Sequence, residues 1–146
     1  MTKVPTRSPT HEDIELGRLA SMGLELEEIA ADDVVQLADV IELAEDRGRP
    51  ASHYVAAVAL ATELAIAPNA DPRAIALKIC AGNCQRYGAL DVIDALIAKQ
   101  ATVTWQPVDC LDRCDHAPAC ELHGAHGVLV IAPATADAID EALKHL

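Results

Sequence analysis

Two short cysteine pairs, Cys80 with Cys84 and Cys110 with Cys114, each stand behind an apolar or β-branched run, with a helical pattern between them. Ala74 to Ile79 reads as a buried strand that ends at the first cysteine. Gln85 to Lys99 reads as a helix with Leu90, Ile93, Leu96 and Ile97 facing inward, and Thr102 to Val108 as a second strand ending just before Cys110. A strand–helix–strand crossover makes two parallel strands with the helix on one face. Both pairs then leave the sheet at the same, carboxyl, edge, where open α/β sheets collect their ligand sites. Cysteines about 30 residues apart thus become neighbours through ordinary topology.

The rest of the chain is read around that unit. Ala119 to Leu122 and Val128 to Ile131 flank His123-Gly124-Ala125-His126-Gly127, a hairpin signal, and Thr135 suits the cap of a last helix with Ile139, Ala142, Leu143 and Leu146 inside. Residues 12 to 67 look entirely helical. Ile14, Leu19, Met22, Leu26 and Ile29 form one amphipathic face. A second segment, Asp32 to Arg47, starts on two acids, turns Val34, Leu37, Ile41 and Ala44 inward, and is broken by Gly48 and Pro50. Ser52 suits the cap of a third helix with Val55, Val58, Thr62 and Ala65; from Tyr54 to Ile66 it is apolar nearly all round, so it is buried or sits in an interface. Pro68-Asn69-Ala70-Asp71-Pro72 is dense in turn formers. The expected organisation is a loose tail over 1–11, a helical extension over 12–72 and an α+β domain over 73–146 with order β-α-β-β-β-α and a mixed four-stranded sheet.

Composition narrows the function classes. The chain is 51% apolar but has no Phe, one Trp and two Tyr, so aliphatic side chains must fill the core. Its net charge of −12 repels nucleic-acid phosphates and anionic membranes, so neither is an expected partner. No apolar run approaches the roughly 18 residues of a membrane span. Met1 to Thr10 is polar, holds Pro5 and Pro9, and lacks the apolar core of a signal peptide, so a cytoplasmic location is expected. In a reducing compartment, clustered cysteines point to metal binding or redox chemistry rather than to structural disulfides.

Four thiolates on two loops make a cage that holds a zinc ion or an iron–sulfur cluster. Cys80, Cys84, Cys110 and Cys114 are the candidate ligands. Other readings stay open at this point. Zinc would make the chain a four-cysteine interaction domain without redox activity. The cysteines are otherwise buried packing thiols, or a dithiol enzyme, although such enzymes use Cys-x-x-Cys at a helix start. Cys120, the fifth cysteine, reads as a buried strand residue, with a substitute ligand or redox-sensitive thiol as the sharper alternative. His123 and His126 suit a solvent-facing hairpin, and His116 is placed to hydrogen-bond near the cage. No nucleotide-binding motif is present, so an organic cofactor would have to come from another chain.

From about residue 74 onward the chain resembles the thioredoxin-like [2Fe–2S] ferredoxins. That family includes free ferredoxins, the peripheral [2Fe–2S] subunit of NADH:quinone oxidoreductase (complex I), and relatives serving NAD-linked formate dehydrogenases and hydrogenases. The resemblance is carried by Cys80…Cys84-Gln85-Arg86-Tyr87-Gly88, by Cys110-Leu111-Asp112-Arg113-Cys114-Asp115-His116-Ala117-Pro118, and by the hairpin and closing helix that follow. It implies a thioredoxin-like ferredoxin domain with one [2Fe–2S] cluster on Cys80, Cys84, Cys110 and Cys114. It also implies one-electron transfer as a subunit of a flavin- or NAD-linked oxidoreductase, not catalytic alone, partnered by a flavoprotein or dehydrogenase subunit; a homodimer is also allowed. The chain differs from the family's usual pattern in its Cys-x3-Cys first pair and in Asp112, where a glycine is usual. Asp109, Asp112 and Asp115 against Arg113 predict a low reduction potential.

Overall fold

The computed structural model describes residues 14–82, 85, 88–109, 111, 118–125 and 127–145. Among these residues it is an α+β chain of five helices, with one four-stranded mixed sheet and one two-stranded sheet. The elements are α1 (Leu16–Ile29), β1 (Val34–Val35), α2 (Leu37–Arg47), α3 (Ala51–Ala61), β2 (Ala65–Ile66), β3 (Ile75–Cys80), α4 (Ala89–Ala98), β4 (Val103–Val108), β5 (Cys120–Gly124), β6 (Gly127–Ile131) and α5 (Ala136–Lys144). No described helix is long and apolar enough to cross a membrane.

The larger sheet has the order β4-β3-β5-β6, with β3 and β4 parallel and the other neighbours antiparallel. One layer of register pairs Trp105, Leu77, Leu122 and Leu129 across all four strands. Trp105, Leu77 and Leu122 are buried, while Lys78, Glu121 and Gln106 on the alternate positions are half-buried or exposed. This is the alternation of a sheet covered on one face. α3 packs on β4 and α4, and α5 packs on α4. Buried residues from both halves of the chain, from Leu19 and Met22 to Leu77 and Ile139, form one contiguous cluster. Half-buried His123 lies within β5 rather than in the hairpin turn, and its Nε2 is 2.9 Å from the Glu121 carboxylate.

The stretch before the boundary departs from the all-helical expectation. Asp32 and Asp33 do not start a helix; both have positive φ (55° and 63°) and form a tight turn in which Ala31 and Val34 exchange two hydrogen bonds of 3.0 Å. Asp tolerates this left-handed conformation better than most residues. The adjacent Val34 and Val35 are β-branched and favour extended backbone, so they form β1, parallel to β2. The second helix therefore begins only at Leu37 and buries Val40 and Ala44, leaving Ile41 half-buried. It ends at Gly48 (φ 66°), where Arg49 N–H reaches the Ala44 carbonyl at 2.9 Å; glycine adopts that conformation without steric cost.

α3 is shorter than expected because Thr62 terminates it. The Thr62 hydroxyl donates to the Val58 carbonyl at 2.8 Å and accepts from Leu64 N–H at 3.1 Å, occupying groups that another helical turn would have used. Its all-apolar run is buried within the chain itself, from Tyr54 to Val58. Ser52 is not the cap. Pro50 holds that position, and the Ser52 N–H and hydroxyl both donate to the carboxylate of Asp94 in α4, at 3.0 and 2.7 Å. An acid borrowed from a neighbouring helix thus satisfies the amino end of α3. Thr135 does cap α5, accepting from Ala138 N–H at 3.0 Å.

Asp94→Ala leaves the buried Ser52 hydroxyl and an amide without their acceptor. It should cost about 2 kcal/mol in urea unfolding, against about 1 kcal/mol for Ser52→Ala, which removes only one of the two donors.

Candidate functional site

β3 delivers Cys80 to the carboxyl edge of the sheet. Leu77 and Ile79 bury on the covered face, and Cys80 lies in register with Val108 of the parallel β4. Its surroundings are a small separate apolar cluster with Ala89 and the half-buried Leu111. Cys80 is 1% exposed.

Backbone bonds hold this cysteine from several sides. Cys80 N–H donates to the Ala119 carbonyl at 3.2 Å, at the start of β5. The next amide, Ala81 N–H, donates to Val108 at 2.7 Å, at the end of β4. The Cys80 thiol donates to the carbonyl oxygen of Asp109 at 3.4 Å. Asp109 is the residue before Cys110 in the chain, so the first sulfur of the first pair rests on the backbone that leads into the second pair. The two segments approach so closely that a Cβ on Gly82 would overlap the Asp109 carbonyl oxygen. Only glycine fits there without a shift of one backbone.

Of the four candidate ligands, Cys80 is described. Cys84, Cys110 and Cys114 lie outside the described residues, as do Asp112, Arg113, Asp115, His116 and His126. Among the described residues no group of three or more His, Cys, Asp or Glu side chains could hold a metal ion. The described part of the site comprises a buried sulfur at a strand end, its thiol donating to a backbone carbonyl, and a glycine where two backbones converge.

Cys120 has a different environment. It lies inside β5, paired with Ile79 on one side and Ile131 on the other, and is fully buried. Burial, with a smaller contribution from the Glu121 carboxylate, pushes its thiol from 9.0 up to about 12. A thiol of that kind stays protonated and unreactive at neutral pH, which fits a packing role.

Gln85 carries no periodicity signal, yet it is a central polar residue here. The expected helix from Gln85 begins instead at Ala89, after Gly88. Gln85 stands before it, 3% exposed, and its side-chain amide donates to the Ala81 carbonyl at 2.7 Å while accepting from Ile14 N–H at 2.9 Å. Its own N–H donates to the Gly82 carbonyl at 3.0 Å. A polar side chain beside a cysteine reads as exposed in a sequence; only the fold brings Ile14 to it. No protein-family model matches the chain, and no curated protein matches it.

The raised Cys120 pKa stabilises the folded state fully below pH 9.0, and that contribution declines as the pH climbs towards about 12. Cys120→Ala should therefore flatten the loss of melting temperature between pH 8 and pH 11 seen in the unaltered protein. Gly82→Ala should lower the melting temperature at every pH, by an amount equivalent to about 1–3 kcal/mol.

Proposed function

We propose that this chain is a one-electron carrier with a thioredoxin-like ferredoxin domain, holding a single [2Fe–2S] cluster through Cys80, Cys84, Cys110 and Cys114. The observation that carries the reading is the contact between the Cys80 sulfur and the Asp109 carbonyl. It joins the start of one cysteine pair to the residue preceding the other, at the carboxyl edge of two parallel strands. The element order β-α-β-β-β-α and the mixed four-stranded sheet also accord with the ferredoxin resemblance.

A [2Fe–2S] cluster takes up and returns one electron at a time. The chain's own residues supply the setting. Cys80 is held by its neighbours' backbone before any metal arrives, so little ordering remains to be done on binding. Burial of Cys80 excludes water from one side of the site, while the exposed Asp109 keeps the edge within reach of a docked partner. Asp109, Asp112 and Asp115 disfavour an added electron and favour a low potential. A net charge of −12 suits a partner that presents a basic surface around its own redox group. A flavoprotein or dehydrogenase subunit in the cytoplasm has that chemistry, and the chain serves it as an electron-transfer subunit rather than as a complete enzyme.

Aerobically purified protein should be red-brown. Dithionite should bleach it and give a spin-½ resonance. Single Ser replacements of Cys80, Cys84, Cys110 or Cys114 should abolish the colour, and Cys120→Ser should keep it. Colourless protein holding one zinc ion would replace this reading with that of a zinc-stabilised interaction domain.

A further inference from the structure

We propose that Gln85 is a positioning residue that bolts the first cysteine turn to the amino-terminal helical segment, so that the metal site is completed by residues some 70 positions upstream of it. The inference rests on the cluster reading above for its functional meaning and on geometry for its mechanism. Gln85 Oε1 accepts from Ile14 N–H across a sequence separation of 71 residues. Its Nε2 donates to the carbonyl of Ala81, the residue after Cys80. The Gln85 N–H donates to the Gly82 carbonyl, a second tie to the residues that follow Cys80.

A buried amide is costly unless both its donor and its acceptor are satisfied, and its net contribution to stability is then small. What such a group provides is direction. Here it sets the direction of the Ala81 carbonyl, immediately after Cys80. Cys80 N–H is held by Ala119, Ala81 N–H by Val108, and the sulfur by Asp109, but the Ala81 carbonyl points to Gln85. Outer partners of this type orient metal ligands and tune the metal, and their removal costs about 10- to 100-fold in affinity. Ile14 is itself buried against the core that α1 shares with α3. Its N–H is therefore a rigid donor, and the position of α1 is transmitted to the cysteine turn through one side chain.

Three variants of the full chain test this. Gln85→Leu removes both side-chain bonds at similar volume. Ile14→Pro deletes the distant N–H, at the cost of a changed buried side chain and a fixed φ, and leaves Gln85 in place. Ile14→Val keeps that N–H and trims the packing. The first readout needs no metal: the rate at which iodoacetamide alkylates Cys80 in apo-protein, followed by peptide mass spectrometry. Gln85→Leu and Ile14→Pro should both raise it about tenfold, the factor associated with losing a net hydrogen-bond contribution at the upper end of the usual range, with Ile14→Val unchanged. The second readout is the rate at which protein reconstituted with iron and sulfide loses its colour to a chelator, expected to rise in the same order. Gln85→Leu behaving as the unaltered protein in alkylation, or Ile14→Val matching Ile14→Pro, overturns the proposal. Should Ile14→Pro fail to fold, amide exchange decides. Ile14 N–H should be protected in the unaltered protein and about tenfold less so in Gln85→Leu; equal exchange in the two overturns the bolt. Unaltered protein that takes no iron refutes the cluster reading, while alkylation and exchange still judge Gln85. Normal cluster loss in Gln85→Leu refutes the bolt and leaves the cluster reading standing.

Discussion

The parallel pairing of β3 with β4 is the constraint on which the site depends. Six consecutive register pairs, from Ile75 with Val103 to Cys80 with Val108, bring both strands to the same edge in step. A slip of one residue would turn Leu77, Ile79, Val103 and Trp105 away from the helices. The buried face therefore enforces the register, and the register sets where Cys80 and Asp109 meet. The packing of α3 and α4 over that face is thus part of what places a sulfur against a carbonyl at the edge of the sheet.

The amino-terminal helices are tied to this arrangement by polar groups as well as by apolar packing. Asp94 of α4 closes the start of α3. Asn69 N–H reaches the Thr104 hydroxyl of β4 at 3.0 Å. Tyr54 donates to Glu25 at 3.2 Å, joining α3 to α1, while Arg47 at the end of α2 meets the same carboxylate at 2.8 Å. Burial and the Glu25 charge both raise the Tyr54 pKa, so its hydroxyl remains a donor. Each tie links segments distant in sequence, and each works because the two partners are held on rigid elements.

Periodicity showed most of the elements in the second half, since strands of alternating burial and helices such as α4 and α5 carry strong local patterns. The strand ending at Val108 and the Thr135 cap were legible; the hairpin was legible as a hairpin, but its strands reach further into the expected turn, taking in His123, Gly124 and Gly127. The first half was less so. Val34-Val35 and Ala65-Ile66 are two-residue strands that pair with each other, too short to show a period of their own, and the β-branched pair at Val34-Val35 fits a helical apolar spacing as well. The helix end at Thr62 depends on a hydroxyl turning back on its own chain, a choice that spacing does not show. Within the site, the alternation of strand and helix was enough to predict that the segments holding Cys80 and Asp109 share an edge. The roles of Gln85 and Asp94 were hidden because each answers to a partner tens of residues away.

The aliphatic core has an optical consequence. Trp105 is the sole tryptophan, it is 2% exposed, and it stands three positions before Val108 on the strand that ends at the cysteines. With no phenylalanine and two tyrosines elsewhere, nearly all ultraviolet-excited emission of this molecule originates from one indole at one address. Its fluorescence is a built-in lamp beside the β3–β4 edge, dimmed by any absorbing group seated there and red-shifted when water reaches the sheet.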